Sequence, residues 1–197
     1  MGAKEIFIQA MDILTKELGQ MNTTTVTTMN NLRVLYLKTR QISEAGEILL
    51  QALQIKEATL GSDHPRALAT VGGVGNLYVM QTKYPEAIEM YRKCLEGYQS
   101  IHGPMHKAVA ESWNNLGEVA MKHGNFDEAE ILFKQGLQTM LTISSGIEDR
   151  MTLYLQANIA LVYRLQGRFE AAVEACKQII ASTPSGRTLG AKRSTNL

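Results

Sequence analysis

The sequence predicts an all-α chain of stacked helical hairpins, four helix pairs preceded by one unpaired helix. Three observations carry this. A turn residue recurs at Ile42, Tyr84, Phe126 and Phe169, and an alanine follows three places on at Ala45, Ala87, Ala129 and Ala172, with Ala3 one step earlier. The steps are 42, 42 and 43 residues, and Gly19, Gly61, Gly103 and Gly146 repeat them, as do the apolar Leu32, Val74, Leu116 and Ile159. Within each step the apolar residues twice follow helical spacing, separated by a breaker. Self-similarity at a period of this length marks stacked supersecondary units.

The elements follow in order. The chain opens inside what the register makes a second helix, expected at 2–19. Its apolar residues, Ile6, Phe7, Ile8, Met11, Ile13 and Leu14, form a wider face than a one-sided cap needs. Further repeats or a packing partner are therefore expected against it. The helix pairs are expected at 22–38/41–60, 64–81/84–102, 106–123/126–144 and 149–166/169–182, giving repeats 22–60, 64–102, 106–144 and 149–182. The third is the most legible. Trp113, Leu116, Gly117 and Ala120 fall at i, i+3, i+4 and i+7, Gly124-Asn125 breaks the helix, and Phe126, Ala129, Leu132, Phe133, Gly136, Leu137 and Met140 mark the next one. The glycine column closes each second helix, because glycine reaches the left-handed C′ conformation without a Cβ clash. The column Asn22, His64, His106 and Asp149 starts each first helix, and Pro65 suits a first helical position. Glu44, Glu86, Glu128 and Glu170 suit first turns, where the helix dipole favours negative charge. Gly72, Gly73 and Gly75 make the second repeat's first helix the softest.

Residues 1–182 are thus read as one elongated solenoid domain, each repeat burying its apolar face on the next. Residues 183–197 are small and polar without periodicity, and are expected to be a disordered tail. Composition agrees with an ordinary globular protein, 197 residues with 45% hydrophobic and 20% charged. Net charge is +1. The tail holds Arg187, Lys192 and Arg193 and no acid, which leaves the repeats slightly acidic and without a basic stripe. Nucleic acid is not an expected partner. No stretch is long enough for a membrane span, and Asp12 interrupts the short Ile6-Phe7-Ile8 run before it could serve as a signal-peptide core, so no membrane partner is expected. Cys94 and Cys176 fall at core-type positions on second helices and are expected to be buried reduced thiols. A reducing, cytoplasmic setting follows.

No catalytic set converges. His102 and His106 are four apart, but Gly103-Pro104 stands between them and no HExxH pattern exists. His64 and His106 are accounted for as helix caps, and His123 sits at a turn. Gly72-Gly73-Val74-Gly75 lacks the Lys-Ser/Thr of a phosphate-binding loop. No enzyme activity, cofactor or metal is predicted.

The pattern resembles the tetratricopeptide repeat in its long, 42-residue form. Trp113, Leu116-Gly117, Gly124-Asn125-Phe126 and Ala129 match the family pattern, and Gly75, Tyr78, Tyr84 and Ala87 match it in the second repeat. The linker GSDHP at Gly61 to Pro65 is similar to that of kinesin light chains and of arrays attached to NTPase receptor proteins. Arg33, Ile42 and Gly73 depart from the pattern. The resemblance implies a right-handed helical-hairpin solenoid whose first helices line a concave groove for extended peptides. It also implies that an amide just before the apolar Leu-type column meets the ligand backbone. That column reads Asn31, Gly73, Asn115 and Asn158, and an amide can satisfy both groups of a peptide unit. The same asparagines could instead bridge neighbouring repeats. Along the same face lie Asn76, Glu118 and Leu161, then Lys38, Lys122 and Leu165, with Glu111 and Tyr154 one turn earlier. The expected groove is therefore Asn31, Lys38, Asn76, Glu111, Asn115, Glu118, Lys122, Tyr154, Asn158 and Leu165. The function implied is an adaptor or scaffold that docks a peptide segment of a protein, in the manner of kinesin light chain cargo. The alternative is a regulatory ligand-sensing array of a larger NTPase receptor or signalling protein.

Overall fold

A computed structural model describes residues 3–19, 24–25, 28–29, 31–32, 36, 39, 41–143 and 149–182. Among them stand eight complete helices and no strand: α1 (Ala3–Leu18), α2 (Ile42–Leu60), α3 (Pro65–Met80), α4 (Tyr84–His102), α5 (Lys107–Lys122), α6 (Phe126–Ile143), α7 (Arg150–Leu165) and α8 (Phe169–Ser182). Between α1 and α2 the described positions Thr24, Thr25, Thr28, Met29, Asn31, Leu32 and Tyr36 are helical. The tail 183–197, Gly146, Asn22 and Lys38 lie outside the described residues.

The helix starts are fixed by side chains. The Nδ1 of His64 accepts from the Arg66 N–H at 3.1 Å, that of His106 from the Ala108 N–H at 3.2 Å, and Asp149 Oδ1 from the Met151 N–H at 2.7 Å. Each satisfies one backbone donor that the first turn would otherwise leave orphaned. The rings of His102 and His106 stack at 4.0 Å across the linker between α4 and α5. Gly19, Gly61 and Gly103 follow their helices with φ of 83°, 91° and 78°. The turns inside the hairpins need the same conformation. Gly124 and Gly167 provide it at φ 88° and 75°, and Thr82 adopts it at φ 59° without being glycine.

The contacts divide the chain into two compact units, Met1–Gly97 and Tyr98–Leu197, with the boundary inside α4. In the first, α2 packs on α3. Its core gathers Met29, Leu32, Tyr36, Ala45, Ile48 and Ala52, with Ile8 and Met11 of α1 against them. Glycine permits close approach here: a Cβ on Gly75 would stand 2.8 Å from the Tyr91 ring. Cys94 is buried, and its thiol donates to the Leu68 carbonyl at 3.2 Å. Desolvation pushes the thiol up to about 11, against the smaller opposing pull of Lys93.

In the second unit α5 packs on α6, α6 on α7, α7 on α8, and α5 touches α7. This is one hairpin stacked on the next. The core holds Ala110, Phe133, Met140, Leu155, Ile159 and Val162. Phe133 lies over Gly117, where a Cβ would stand 2.6 Å from its ring. Cys176 corrects the expectation of two buried thiols, for it is exposed. Its register mate Phe133 is fully buried, because α7 of the next hairpin covers α6, while no described helix of a following hairpin packs on α8.

Candidate functional site

The candidate residues are best developed in the second unit. On α5, Glu111, Asn115, Glu118 and Lys122 follow one another at i, i+4, i+7 and i+11, which sets them on one face. Glu111 and Lys122 are exposed, and Asn115 and Glu118 half-buried. On α7 the register mates are Tyr154, Asn158, Leu161 and Leu165. Tyr154 is 54% and Leu165 43% exposed. The Arg150 guanidinium stands 5.9 Å from the Tyr154 ring centroid, so a cation flanks the aromatic face.

A hydrogen-bond relay joins the two helices, and it runs through a residue outside the expected set. The Asn158 amide donates to Asn114 Oδ1 at 2.9 Å, and the Asn114 amide donates to Glu118 Oε1 at 2.8 Å. Asn114 is buried. One end of the Asn158 amide is thereby committed inside the protein, and the Glu118 carboxylate is held by a donor that is itself held. The signal available in the sequence was the doublet Asn114-Asn115 with Glu118 four residues after the first asparagine. It is the buried member that bridges the repeats, while Asn115 has no side-chain hydrogen bond among the described residues.

The first unit contributes less. Asn31 is an exposed helical position. Asn76 is exposed on α3, but its Oδ1 accepts from the Tyr91 hydroxyl at 2.7 Å, which ties it to α4. Lys38 lies outside the described residues.

Two other features are set apart from this face. A recess of about 700 Å³ at the hairpin turns is lined by Gly124–Glu128, Gln166 and Arg168. Its polar groups already serve packing: Gln166 donates to Asp127 at 2.7 Å and Arg168 to Glu130 at 2.7 Å. Beside it, partial burial pushes the Glu130 carboxyl upward, but hydrogen bonds and charge from Lys134 and Arg168 outweigh this and hold it below its usual range. The hydrogen bond from Glu130 likewise holds Lys134 above its usual range. No group of three or more His, Cys, Asp or Glu among the described residues is arranged to hold a metal. No described helix is long and apolar enough to cross a membrane.

A tetratricopeptide repeat model matches residues 24–100, 72–142 and 108–184, three overlapping windows that together span most of the chain. The chain belongs to the tetratricopeptide repeat family. Its structural neighbours include kinesin-light-chain-like repeat chains. A single-substitution variant of a Podosopora anserina chain of nearly identical TPR-like repeats, assigned as a kinesin light chain, superposes with a TM-score of 0.76 at 25% identity, covering 91% of this chain and 84% of that one. BtubC (BKLC) of P. vanneervenii gives a TM-score of 0.73 at 23% identity, covering 91% of this chain and 72% of that one. The apo form of RapI gives 0.70 at 15% identity, covering 95% and 64%. The latter two likenesses bear on fold alone. No curated protein matches the chain in sequence. Tetratricopeptide repeats form a protein-interaction fold that is generally non-enzymatic, and the family match makes this chain a protein-interaction scaffold.

Proposed function

We propose that the chain is a non-enzymatic adaptor that binds an extended peptide segment of another protein along the first helices of its repeats, with the α5 and α7 faces as the principal site. The observation that carries this reading is the side-by-side stripe of Glu111, Asn115, Glu118 and Lys122 with Tyr154, Asn158, Leu161 and Leu165. It combines an uncommitted amide, a fixed carboxylate and exposed apolar side chains on rigid helices. Asn115 is the residue suited to meet a peptide unit, since its amide has both donor and acceptor. Glu118, oriented by Asn114, suits a cationic side chain. Tyr154 and Leu165 suit apolar ones. A ligand carrying both signs and apolar groups fits, and a uniformly acidic one does not.

The test is selection of dodecapeptides from a random displayed library on the wild-type chain. Asn115→Ala with Tyr154→Ala should weaken the selected peptides by about five- to hundred-fold, the scale of one unpaired hydrogen-bonding group plus lost contact area. Both positions lie outside the buried core, so the melting temperature should move little. Selected peptides that bind the double variant as well as the wild type would sink the reading.

A further inference from the structure

The first-helix stripe carries a carboxylate at Glu118 in one repeat only. Its register column reads Val34, Asn76, Glu118 and Leu161, and the column of Asn114 reads Asn30, Gly72, Asn114 and Ala157. Stacking of the repeats does not require the relay from Asn158 through Asn114 to Glu118, since glycine and alanine stand at the Asn114 position in the neighbouring repeats.

The relay has a fixed direction. An ionised carboxylate only accepts hydrogen bonds, so Asn114 turns its amide nitrogen to Glu118 and its oxygen to α7. That oxygen in turn takes the amide nitrogen of Asn158, and the two bonds are 2.8 Å and 2.9 Å long. Three valences stay open at Glu118 and Asn158: the second carboxylate oxygen, the Asn158 oxygen and one Asn158 amide hydrogen. None has a partner among the described residues. Two acceptors, one of them charged, against one donor call for a donor-rich cation. A guanidinium supplies five N–H donors in a planar fork and keeps its charge at any physiological pH.

Glu118 has a cation of its own chain within reach. Lys122 lies four residues on, in the order and spacing at which Glu and Lys pair on a helix surface. Among the described residues no ion pair joins them. The carboxylate turns back instead to Asn114, four residues earlier. Asn114 is buried and its oxygen is fastened to the next repeat, so its amide is a fixed point. It keeps the carboxylate from being neutralised by Lys122 and leaves it half-buried, where a charge is screened less than in open solvent. The other charges along the stripe, Glu111, Lys122 and Arg150, are exposed.

We propose, resting on the peptide-groove reading of the same face, that Asn114 is a positioning residue that fixes Glu118 for a cationic side chain of the bound peptide, and that this side chain is an arginine. The partner is thus a protein segment with an arginine set among the apolar residues that meet Tyr154 and Leu165.

The probes are the dodecapeptides selected from the random displayed library on the wild-type chain, resynthesised with each arginine as citrulline, its neutral isostere. The selected peptides should share an arginine, and the citrulline form should bind about tenfold more weakly, the scale of one charge-assisted hydrogen bond. Glu118→Gln keeps an acceptor for Asn114 and removes the charge, so the ratio of the two affinities should fall to about one. Asn114→Leu frees Glu118 to pair with Lys122, and the ratio should fall to about three. Adding Lys122→Met to Asn114→Leu should raise the ratio again, since that competing cation is gone. A merely structural Asn114 would weaken both forms alike and leave the ratio unchanged, which overturns its positioning role. Glu118→Gln, at a half-buried position, decides the proposal even where Asn114→Leu fails to fold.

The proposal is overturned by selected peptides without a shared arginine, by a citrulline form that binds as tightly as its parent, or by a ratio that Glu118→Gln leaves intact. If those peptides still depend on Asn115 and Tyr154, the groove itself stands. Peptides indifferent to both residues remove groove and proposal together. A gain of about tenfold in affinity when Arg187 and Arg193 are replaced by glutamine would also overturn it, by making the tail of this chain the occupant.

Discussion

Single residues set the hairpin turns, and Thr82 shows the cost of the wrong one. Its place is the turn position that Gly124 and Gly167 hold in the following repeats, and its φ of 59° is left-handed. A β-branched residue is strained there by about 1–2 kcal/mol. Thr82→Gly should therefore stabilise the chain by about 1 kcal/mol, even though glycine has greater chain entropy when unfolded. Chemical denaturation at equal m-value checks this, and a loss of stability would mean that the threonine's local contacts outweigh the strain. Glu130 is set by its neighbours in another way. Its side chain is 14% exposed and meets Lys134 at 2.6 Å and Arg168 at 2.7 Å, and its carboxyl is held below the usual range. A lowered folded-state value contributes stability above the unfolded value, and that contribution is lost as pH falls through the folded one. Glu130→Gln should thus be less stable than wild type at neutral pH, by less than about 1 kcal/mol because both cations are half exposed. The two stability curves should converge below about pH 4. A gap that persists at acid pH would assign the difference to packing instead.

At the scale of the element, α3 tests propensity against packing. Three glycines fall within four positions, yet the helix is continuous from Pro65 to Met80, with Val71 and Val74 buried. The glycines do not share one role. A Cβ on Gly72 would lie 3.6 Å from the Cys94 sulfur, an ordinary contact, whereas one on Gly75 would lie 2.8 Å from the Tyr91 ring. Gly72→Ala should gain about 1 kcal/mol from helix propensity. Gly75→Ala should lose about 1–3 kcal/mol from overpacking. Thermal melts of the two variants separate these effects, and equal shifts would show that close approach at Gly75 is not what the glycine provides. Amide exchange should still be faster at 72–75 than at 114–120, since three glycines leave the α3 backbone easier to open.

At the scale of the whole molecule, the cores are local. One gathers around Phe133 and α7, the other around Met29, Leu32 and α2. In a repeat fold stability is close to a sum of hairpin and neighbour terms, so damage should stay near its origin. Gly117→Ala drives a Cβ to 2.6 Å from the Phe133 ring and should cost about 1–3 kcal/mol. Hydrogen exchange should then rise across α5 to α7 while amides of α2 keep their protection. A uniform rise over both would show a single cooperative unit.

The period by itself determined a great deal about this protein. The 42- and 43-residue steps give the helix order, the hairpin turns and the capping column, because caps, breakers and 3.6-residue spacing act within a few neighbouring residues. The asparagine column also pointed to the stretch of α5 and α7 where an amide hydrogen bond joins the two helices. Which asparagine bridges the repeats was decided only by tertiary structure, since Asn114 and Asn115 are adjacent in sequence and differ by a rotation of about 100° around the helix. The fate of the two cysteines was decided there too. Cys94 and Cys176 both fall on second helices, three register positions apart, but burial of a solenoid face depends on the hairpin stacked against it. Cys94 is buried against α3, and Cys176 opens onto a face that no described helix covers.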